Sequence, residues 1–280
     1  MRIIKLIINI LIFCLLTLLT QVGGIVYLIS ILTYTLLDKA NRKLYIGFSF
    51  RLTYFLILYC LTTFLLVPFI AKPFGRVSLP ITKTNHLQPL NILTCILNRN
   101  YVKPELKKTA FEVAELMNEK YPGTITNYLD ANFPFIDKFP LLPHLSHSDG
   151  KKLDLAFCYI DAKTGNATNE CPSKIGYGIC EEPRPNEKNT AEYCDEKGFW
   201  QYSLMLKLMP QTNKQNSIFD SIKTKELVNL FAAQSEIGMI FIEPHLKMRM
   251  NLSSEKIKFH GCHAVRHDDH VHIQLKYKIL

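Results

Sequence analysis

Hydrophobic positions divide the chain into two parts that meet near Pro80. Residues 1–79 consist of long apolar runs with few charges, whereas residues 80–280 have the mixed pattern of a globular domain. The uncharged run 53–71, TYFLILYCLTTFLLVPFIA, is about as long as a helix that crosses a bilayer core. It therefore predicts a membrane-spanning helix, in which Pro68 near the end is tolerated.

An earlier apolar stretch, from Ile3 to Leu37, is broken by the sequence QVGG at 21–24. This stretch is too long for one ordinary span and slightly short for two, so a single tilted helix and a tight helical hairpin both stay open. A cleaved signal peptide is the alternative for the start of the chain, but no small-x-small cleavage site follows. We therefore predict a transmembrane helical anchor over 1–79, with two or three spans.

Basic residues predict the orientation of this anchor. The charged residues between the two apolar blocks are mostly basic: Asp38, Lys39, Arg42, Lys43 and Arg51. Basic loops tend to stay in the cytoplasm, and this loop outweighs Lys72 and Arg76 on the far side of the span. We therefore expect residues 80–280 on the periplasmic, extracytoplasmic side of the inner (cytoplasmic) membrane.

Helical and strand patterns both occur within residues 80–280 and predict an α+β fold. Helices are predicted at 104–117 and 224–235, and strands at 153–159, 239–242 and 270–277. The stretch 160–215 is irregular and has the composition of a long insertion. We expect an antiparallel sheet flanked by helices.

The net charge of +9 is placed unevenly, which argues against nucleic-acid binding. Residues 1–79 contain 8 lysines and arginines and 1 acidic residue, a net charge of +7. Residues 80–280 contain 25 lysines and arginines and 23 acidic residues, a net charge of +2. A nucleic-acid-binding protein carries its basic excess on the folded domain. We therefore expect contacts with membrane lipid and none with nucleic acid.

Cysteines indicate disulfides if the domain lies in an oxidising compartment. Those beyond the anchor are Cys95, Cys158, Cys171, Cys180, Cys194 and Cys262. Cys171, Cys180 and Cys194 of the insertion are the first candidates, although the sequence selects no pairing. A zinc knot is the weaker alternative because the chain has no CxxC pair.

Histidines concentrate near the end of the chain. Five of the nine are His260, His263, His267, His270 and His272. In the predicted strand 270–277, the two-residue period places His270 and His272 on one face, opposite the apolar residues that alternate with them. Two imidazoles on one strand face can bind one metal ion, although an isolated HxH pair is weak evidence. We expect His260 and His263 to lie at the edge of such a site or to be structural.

The sequence HSDGKKLD at 147–154 offers two further candidate ligands, His147 and Asp154. Asp154 alternates with Leu153 and Leu155, so it points away from the apolar face of its strand. An acidic side chain inside such an apolar run needs a partner, either a metal ion or a lysine. Catalytic zinc sites take three protein ligands and leave one position for water.

The two motifs together resemble a known zinc signature. His-x6-Asp followed far downstream by His-x-His is shared by lysostaphin-type peptidases, D-Ala-D-Ala carboxypeptidases and the Hedgehog signalling domain. The sequences HSDGKKLD at 147–154 and RHDDHVHIQL at 266–275 are most similar to the motifs of penicillin-insensitive murein endopeptidases. The stretch 226–247 resembles the helix–strand unit that precedes the second motif in that family. The resemblance covers roughly residues 100–280 outside the insertion.

The resemblance implies the role of each motif residue. His147, Asp154 and His272 would be the ligands of Zn²⁺. His270 would be the catalytic histidine, and His267 a second active-site histidine. The implied protein is a zinc-dependent hydrolase, a metallopeptidase of the cell wall. It would cleave amide bonds in peptidoglycan cross-link peptides, either as an endopeptidase or as a D-alanyl carboxypeptidase.

Some positions depart from the family pattern. Arg266 and Gln274 replace a glycine and an arginine, and an anchor of several helices replaces a cleaved signal. Asp268 or Asp269 can accept a hydrogen bond from a ligand imidazole. We nevertheless expect both of these carboxylates to be solvated.

Two alternatives to an enzyme follow from the same signature. The Hedgehog domain shows that this fold can hold zinc in a binding module, so a catalytically inactive module at the cell envelope is the main alternative. The presence of His270, the histidine that would handle protons, favours the enzyme. A structural zinc site would need a fourth protein ligand, for which His267 is the ready candidate.

Overall fold

Two apolar helices joined by a tight turn begin the chain. In the computed structural model, which describes residues 2–40 and 47–277, helix α1 spans Arg2–Thr20 and helix α2 spans Gly23–Ala40. The apolar stretch 3–37 is therefore a helical hairpin rather than one tilted helix. Arg42 and Lys43 of the basic loop lie outside the described residues.

Close packing holds this hairpin together. A Cβ atom at Gly24 would lie only 2.0 Å from Oγ1 of Thr17, so glycine permits the approach of the two helices. The hydroxyl of Tyr27 donates a hydrogen bond to Oδ1 of Asn9 at 3.0 Å. The sequence QVGG at 21–24 is thus the turn of the hairpin.

A third apolar helix runs from Phe48 to Ile70 in three segments. These are α3 (Phe48–Leu61), a π-helical turn (Thr62–Leu66) and α4 (Val67–Ile70). Pro68 crowds the turn before it and has no N–H to donate, which accounts for the wider π turn at this point. Helix α1 and the helix Phe48–Ile70 are each long and apolar enough to cross a membrane, whereas Gly23–Leu37 is shorter. They can form a membrane anchor or, for α1, a signal sequence.

The other elements are short and mix helices with strands, as the sequence predicts. The helices are α5 (Ile92–Ile96), α6 (Pro104–Lys120), α7 (Thr190–Glu196), α8 (Leu204–Leu208), α9 (Ser221–Ala233) and α10 (Pro244–Arg249), with 3-10 turns at Lys72–Phe74 and Lys214–Asn216. The strands are β1 (Val77–Ser78), β2 (Leu87–Pro89), β3 (Tyr101–Val102), β4 (Thr126–Tyr128), β5 (Lys152–Ala156), β6 (Tyr159–Asp161), β7 (Ala167–Thr168), β8 (Ser217–Phe219), β9 (Ile237–Phe241), β10 (Ile257–Lys258) and β11 (His270–Leu275). Strand β1 pairs with β3, so the globular fold includes residues just before Pro80.

Six strands form the central sheet, in the order β10-β9-β11-β5-β4-β2. The inner pairs are antiparallel, whereas the outer pairs β10–β9 and β4–β2 are parallel. The predicted antiparallel sheet is therefore right at the centre and wrong at both edges. Each parallel pair is connected through a helix, α6 or α10, and such a crossover returns the chain in the same direction.

The hydrophobic core lies on one face of this sheet, under α6 and α9. The face of α6 that the periodicity predicts is buried: Leu106, Ala110, Val113, Ala114 and Met117. Strands β5 and β11 add Leu153, Leu155, Val271 and Ile273 to the same core. Because strand residues alternate, Asp154, His270 and His272 face the opposite side of the sheet.

The predicted insertion 160–215 is connected to the second histidine motif by a disulfide. Cys194 of α7 bonds to Cys262, 68 residues further along the chain. The other two first candidates, Cys171 and Cys180, are free cysteines. Strands β6 to β8 form a separate antiparallel sheet, in the order β7-β6-β8, at the two ends of the insertion.

Candidate metal centre

The two central strands bring Asp154 and His272 side by side. These residues are direct register partners across the antiparallel pair β5–β11. Asp154 is fully buried, and His272 is 1% exposed. The carboxylate that interrupts an apolar strand pattern is therefore matched by a histidine on the neighbouring strand.

A long loop supplies two more histidines. We call residues 133–149 the metal loop, since it runs from the end of β4 towards β5 and carries His144 and His147. His144, His147 and Asp154 form a buried group that can hold a metal ion, with one donor atom from each lying within 4.8 Å of the others. His147 is a predicted ligand, whereas His144 was not identified from the sequence.

Two imidazole nitrogens meet at one oxygen of Asp154 and form a triangle with it. Oδ1 lies 3.2 Å from Nε2 of His147 and 2.8 Å from Nδ1 of His272. The two imidazole nitrogens are 3.0 Å apart. Donor atoms about 2.0–2.1 Å from a tetrahedral zinc ion would be separated by roughly 3.3 Å, so this triangle is close to the size that zinc requires.

The other oxygen of Asp154 has a different set of neighbours. Oδ2 accepts a hydrogen bond from the hydroxyl of Tyr177 at 2.8 Å. Nδ1 of His144 also lies 2.8 Å from Oδ2, but it is not aligned for a hydrogen bond, and Nε2 of His270 lies 3.6 Å away. The carboxylate thus separates two groups of side chains, with His147 and His272 at Oδ1 and with His144, His270 and Tyr177 at Oδ2.

Outer contacts fix the orientation of two of these rings. The Nδ1–H of His147 donates to the carbonyl of Ala131 at 2.7 Å, which leaves the lone pair of Nε2 directed at Asp154 and His272. Nδ1 of His270 bonds to Oδ1 of Asp269, whose Oδ2 accepts from the N–H of Gly178 at 2.6 Å. Among the described residues, Nε2 of His270 and Nε2 of His272 have no hydrogen-bond partner.

Asp268 and Asp269 are both buried, so the expectation that they are solvated is wrong. Asp269 is 6% exposed and orients His270. Asp268 is fully buried and accepts a hydrogen bond from Nε of Arg266 at 2.9 Å. Arg266 therefore neutralises a buried acid.

The histidines and carboxylates shift one another's pKa values. Burial would raise the pKa of Asp154, but the positive charge that His147, His270 and His144 can carry offsets this and holds its pKa well below the usual value. Burial lowers the pKa of His272 to about 3. Burial would also lower the pKa of His270, but Asp154 and Asp269 raise it to about 9. The site therefore favours an anionic carboxylate that faces a neutral His272.

The remaining predicted histidines surround this centre. The ring of His267 is buried, with its centroid 4.9 Å from that of His270. The ring of His260 stacks on that of Phe241 with centroids 4.1 Å apart, and the ring of His263 meets that of Phe199 edge-on with centroids 4.6 Å apart. Both His260 and His263 line the cavity described next, as expected for residues at the edge of the site.

A cavity of about 500 Å³ opens above the metal centre. Its floor contains Asp154 and the histidines, and its walls are largely apolar. The metal loop supplies Leu142 and Leu145 to one wall, and the insertion supplies Trp200 and Leu204 to the other. The insertion is therefore part of the site.

Two residues of the site escaped detection in the sequence. His144 precedes His147 by three residues, and that HxxH spacing was the available signal. Tyr177 lies in the insertion, where no pattern links it to Asp154. Its contact with the carboxylate depends on the path of a loop and could be found only in the folded structure.

Comparison with known proteins does not assign the chain to a family. No protein-family model matches it, and no curated protein sequence matches it.

Proposed function

We propose that this protein is a membrane-anchored zinc metallopeptidase that hydrolyses amide bonds in peptidoglycan cross-link peptides. The observation that carries the proposal is the convergence of His147, Asp154 and His272, with donor atoms 2.8–3.2 Å apart, beside His270 on the floor of an open cavity. The motifs that supply these residues are the ones that resemble penicillin-insensitive murein endopeptidases.

The donor set fits zinc. Two imidazole nitrogens and one carboxylate oxygen are typical zinc ligands, whereas magnesium and calcium prefer oxygen ligands alone. The backbone carbonyl of Ala131 holds His147 in the tautomer that a ligand needs. The cavity leaves room for a water molecule and a substrate carbonyl.

In this proposal the chain's own residues position and transfer the proton. A zinc ion held by His147, Asp154 and His272 would polarise the amide carbonyl and make water nucleophilic near neutral pH. Asp269 holds Nδ1 of His270, so that Nε2 faces the reaction centre, and the raised pKa of His270 suits this ring to donate a proton to the leaving amine. His267, next to His270, can donate a hydrogen bond to the developing oxyanion.

The predicted topology and the shape of the cavity support peptidoglycan as the substrate. An extracytoplasmic enzyme held at the inner membrane meets peptidoglycan peptides, and a cavity between two separate walls can admit an extended chain. Cleavage of a cross-link and removal of a terminal D-alanine require the same chemistry, so the products must distinguish them.

A catalytically inactive zinc-containing binding module is the second candidate, and His144 is the observation that favours it. Its Nδ1 lies 2.8 Å from Oδ2 of Asp154, so a fourth protein donor stands next to the centre. Four protein ligands would close a tetrahedral ion and leave no position for water. His144, rather than His267, is therefore the ready candidate for a closed site.

Digestion of defined muropeptides tests the proposed activity. The full chain in detergent should convert cross-linked dimers to monomers or release D-alanine from pentapeptides. Activity should disappear with a chelator and return with zinc. Zinc-loaded protein that leaves both substrates intact would overturn the peptidase and favour the binding module.

A further inference from the structure

The metal loop contains no helix or strand of its own, although it carries two histidines of the site. Its base is closed by Asn132, whose amide donates to the carbonyl of Lys152 at 2.8 Å and accepts from the N–H of Gly150 at 3.0 Å. The N–H of Lys138 donates to the carbonyl of Ser148 at 2.8 Å. The rest of its order must come from contacts with other parts of the chain.

The turn of the N-terminal hairpin provides one such contact. Gln21 is 5% exposed, and its Oε1 accepts hydrogen bonds from the N–H groups of Phe135 at 2.8 Å and Ile136 at 3.4 Å. A side chain between α1 and α2 thus satisfies backbone donors in the first part of the metal loop, more than a hundred residues away in sequence.

Arg76, shortly after the third apolar helix, provides the second contact. Its side chain is fully buried, and its guanidinium donates to the carbonyl of Phe133, the carboxylate of Asp137 and the carbonyl of Ser148. These partners lie at both ends of the metal loop. The ring of Phe74 adds a contact with that of Phe135, with centroids 5.1 Å apart.

We propose that the N-terminal helical segment is a positioning element of the metal site, in which Gln21 and Arg76 hold the metal loop so that His144 and His147 reach Asp154. The inference rests on the proposed metal centre. It also means that a fragment limited to residues 80–280 would lack both Gln21 and Arg76, and with them part of the support of its own site.

The full chain in detergent provides the test, with three variants at two positions. Gln21→Met keeps the side-chain length and removes the acceptor, whereas Gln21→Glu keeps an acceptor oxygen. Asn9→Leu is the control, because Asn9 accepts a hydrogen bond from Tyr27 within the hairpin and lies about three helical turns before Gln21. Only variants whose circular dichroism spectrum matches that of the parent, and which are therefore folded, are compared.

Two readouts separate loop order from metal binding. Trypsin cleavage after the exposed Lys138 reports the order of the metal loop in metal-free protein. Zinc titration and the visible spectrum of the cobalt-substituted protein report the ligand geometry. Gln21→Met should be cleaved about tenfold faster and bind zinc about tenfold more weakly, the scale of one lost buried hydrogen bond. Gln21→Glu and Asn9→Leu should resemble the parent.

Gln21→Met that folds, resists trypsin and binds zinc like the parent would overturn the inference. If Gln21→Met does not fold, Phe74→Ala takes its place, because it trims a half-exposed ring and leaves no buried polar group unpaired. Phe74→Ala should then be cleaved about threefold faster and bind zinc about threefold more weakly. Unchanged cleavage and affinity in this variant would overturn the inference. A parent protein that binds no zinc would instead overturn the proposed function, while faster cleavage of Gln21→Met would still support the contact.

Discussion

At the scale of single residues, Asp154 is the side chain around which the candidate metal ligands gather. Its two oxygens contact or approach four histidines and Tyr177, and no lysine or arginine pairs with it in the part of the chain that the structure describes. The lysine salt bridge considered for this carboxylate is therefore wrong. A buried anion without a fixed cationic partner is a strong ligand for a metal ion.

Asp154→Asn should abolish stoichiometric zinc binding, because the variant removes the one anionic donor. We expect the affinity to fall by more than the roughly 10–100-fold that is lost with outer contacts. Zinc titration monitors the effect, and Asp149→Asn is the matched control, since Asp149 is the last residue of the metal loop and bonds Lys152. Parent-like zinc binding by Asp154→Asn would contradict the assignment.

His144→Ala should retain one zinc per chain. In our account His147 and His272 complete the site at Oδ1 of Asp154, and His144 at Oδ2 is an outer residue. A loss of affinity of about tenfold is expected, on the scale of outer contacts. If His144→Ala loses zinc entirely, the ion lies on the Oδ2 side instead or requires four protein ligands.

Elements with strong periodicity could be predicted from the sequence, and contacts between distant elements could not. Helix α6 and strand β11 follow from the spacing of their apolar residues, because local burial alone determines that spacing. The parallel edge strands depend on which side of the sheet a crossover follows. The burial of Asp269 depends on Gly178 from the insertion, and no local pattern predicts that contact.

At the scale of elements, we predict that the disulfide Cys194–Cys262 stabilises the insertion. Because Cys194–Cys262 joins α7 to the segment before the second histidine motif, its loss should loosen the wall that carries Trp200. Cys194→Ser should lower the free energy of unfolding by about 2–4 kcal/mol. Trp200 is the single tryptophan of the chain, so its fluorescence anisotropy should fall in the same variant.

Reduction of the parent with a thiol is the matched control for Cys194→Ser and should reproduce both changes. The variant itself should be insensitive to the thiol. Unchanged anisotropy and stability after reduction would show that the insertion wall does not depend on this bond.

At the scale of the whole molecule, the N-terminal helices predict a topology. The turn at Gln21 and the end of the third apolar helix both contact the globular domain, so they must lie on the same side of a membrane. Three spans, with the loop between α2 and α3 on the other side, satisfy this arrangement. The basic residues of that loop would place it in the cytoplasm.

A C-terminal fusion reports this topology directly. Alkaline phosphatase fused after Leu280 should be active, because the enzyme folds only outside the cytoplasm, and a fluorescent protein that matures only in the cytoplasm should stay dark at the same position. The opposite pair of results would place the domain in the cytoplasm and exclude peptidoglycan as its substrate.

The central claim is that His272 holds the metal while His270, two residues away on the same strand face, handles protons. Zinc content and muropeptide cleavage, measured together on the parent, His270→Ala and His272→Ala, test this claim most directly. His272→Ala should lose zinc and activity. His270→Ala should keep one zinc per chain and lose about two to four orders of magnitude in rate. Full zinc in His272→Ala, or parent-like cleavage by His270→Ala, would contradict the account.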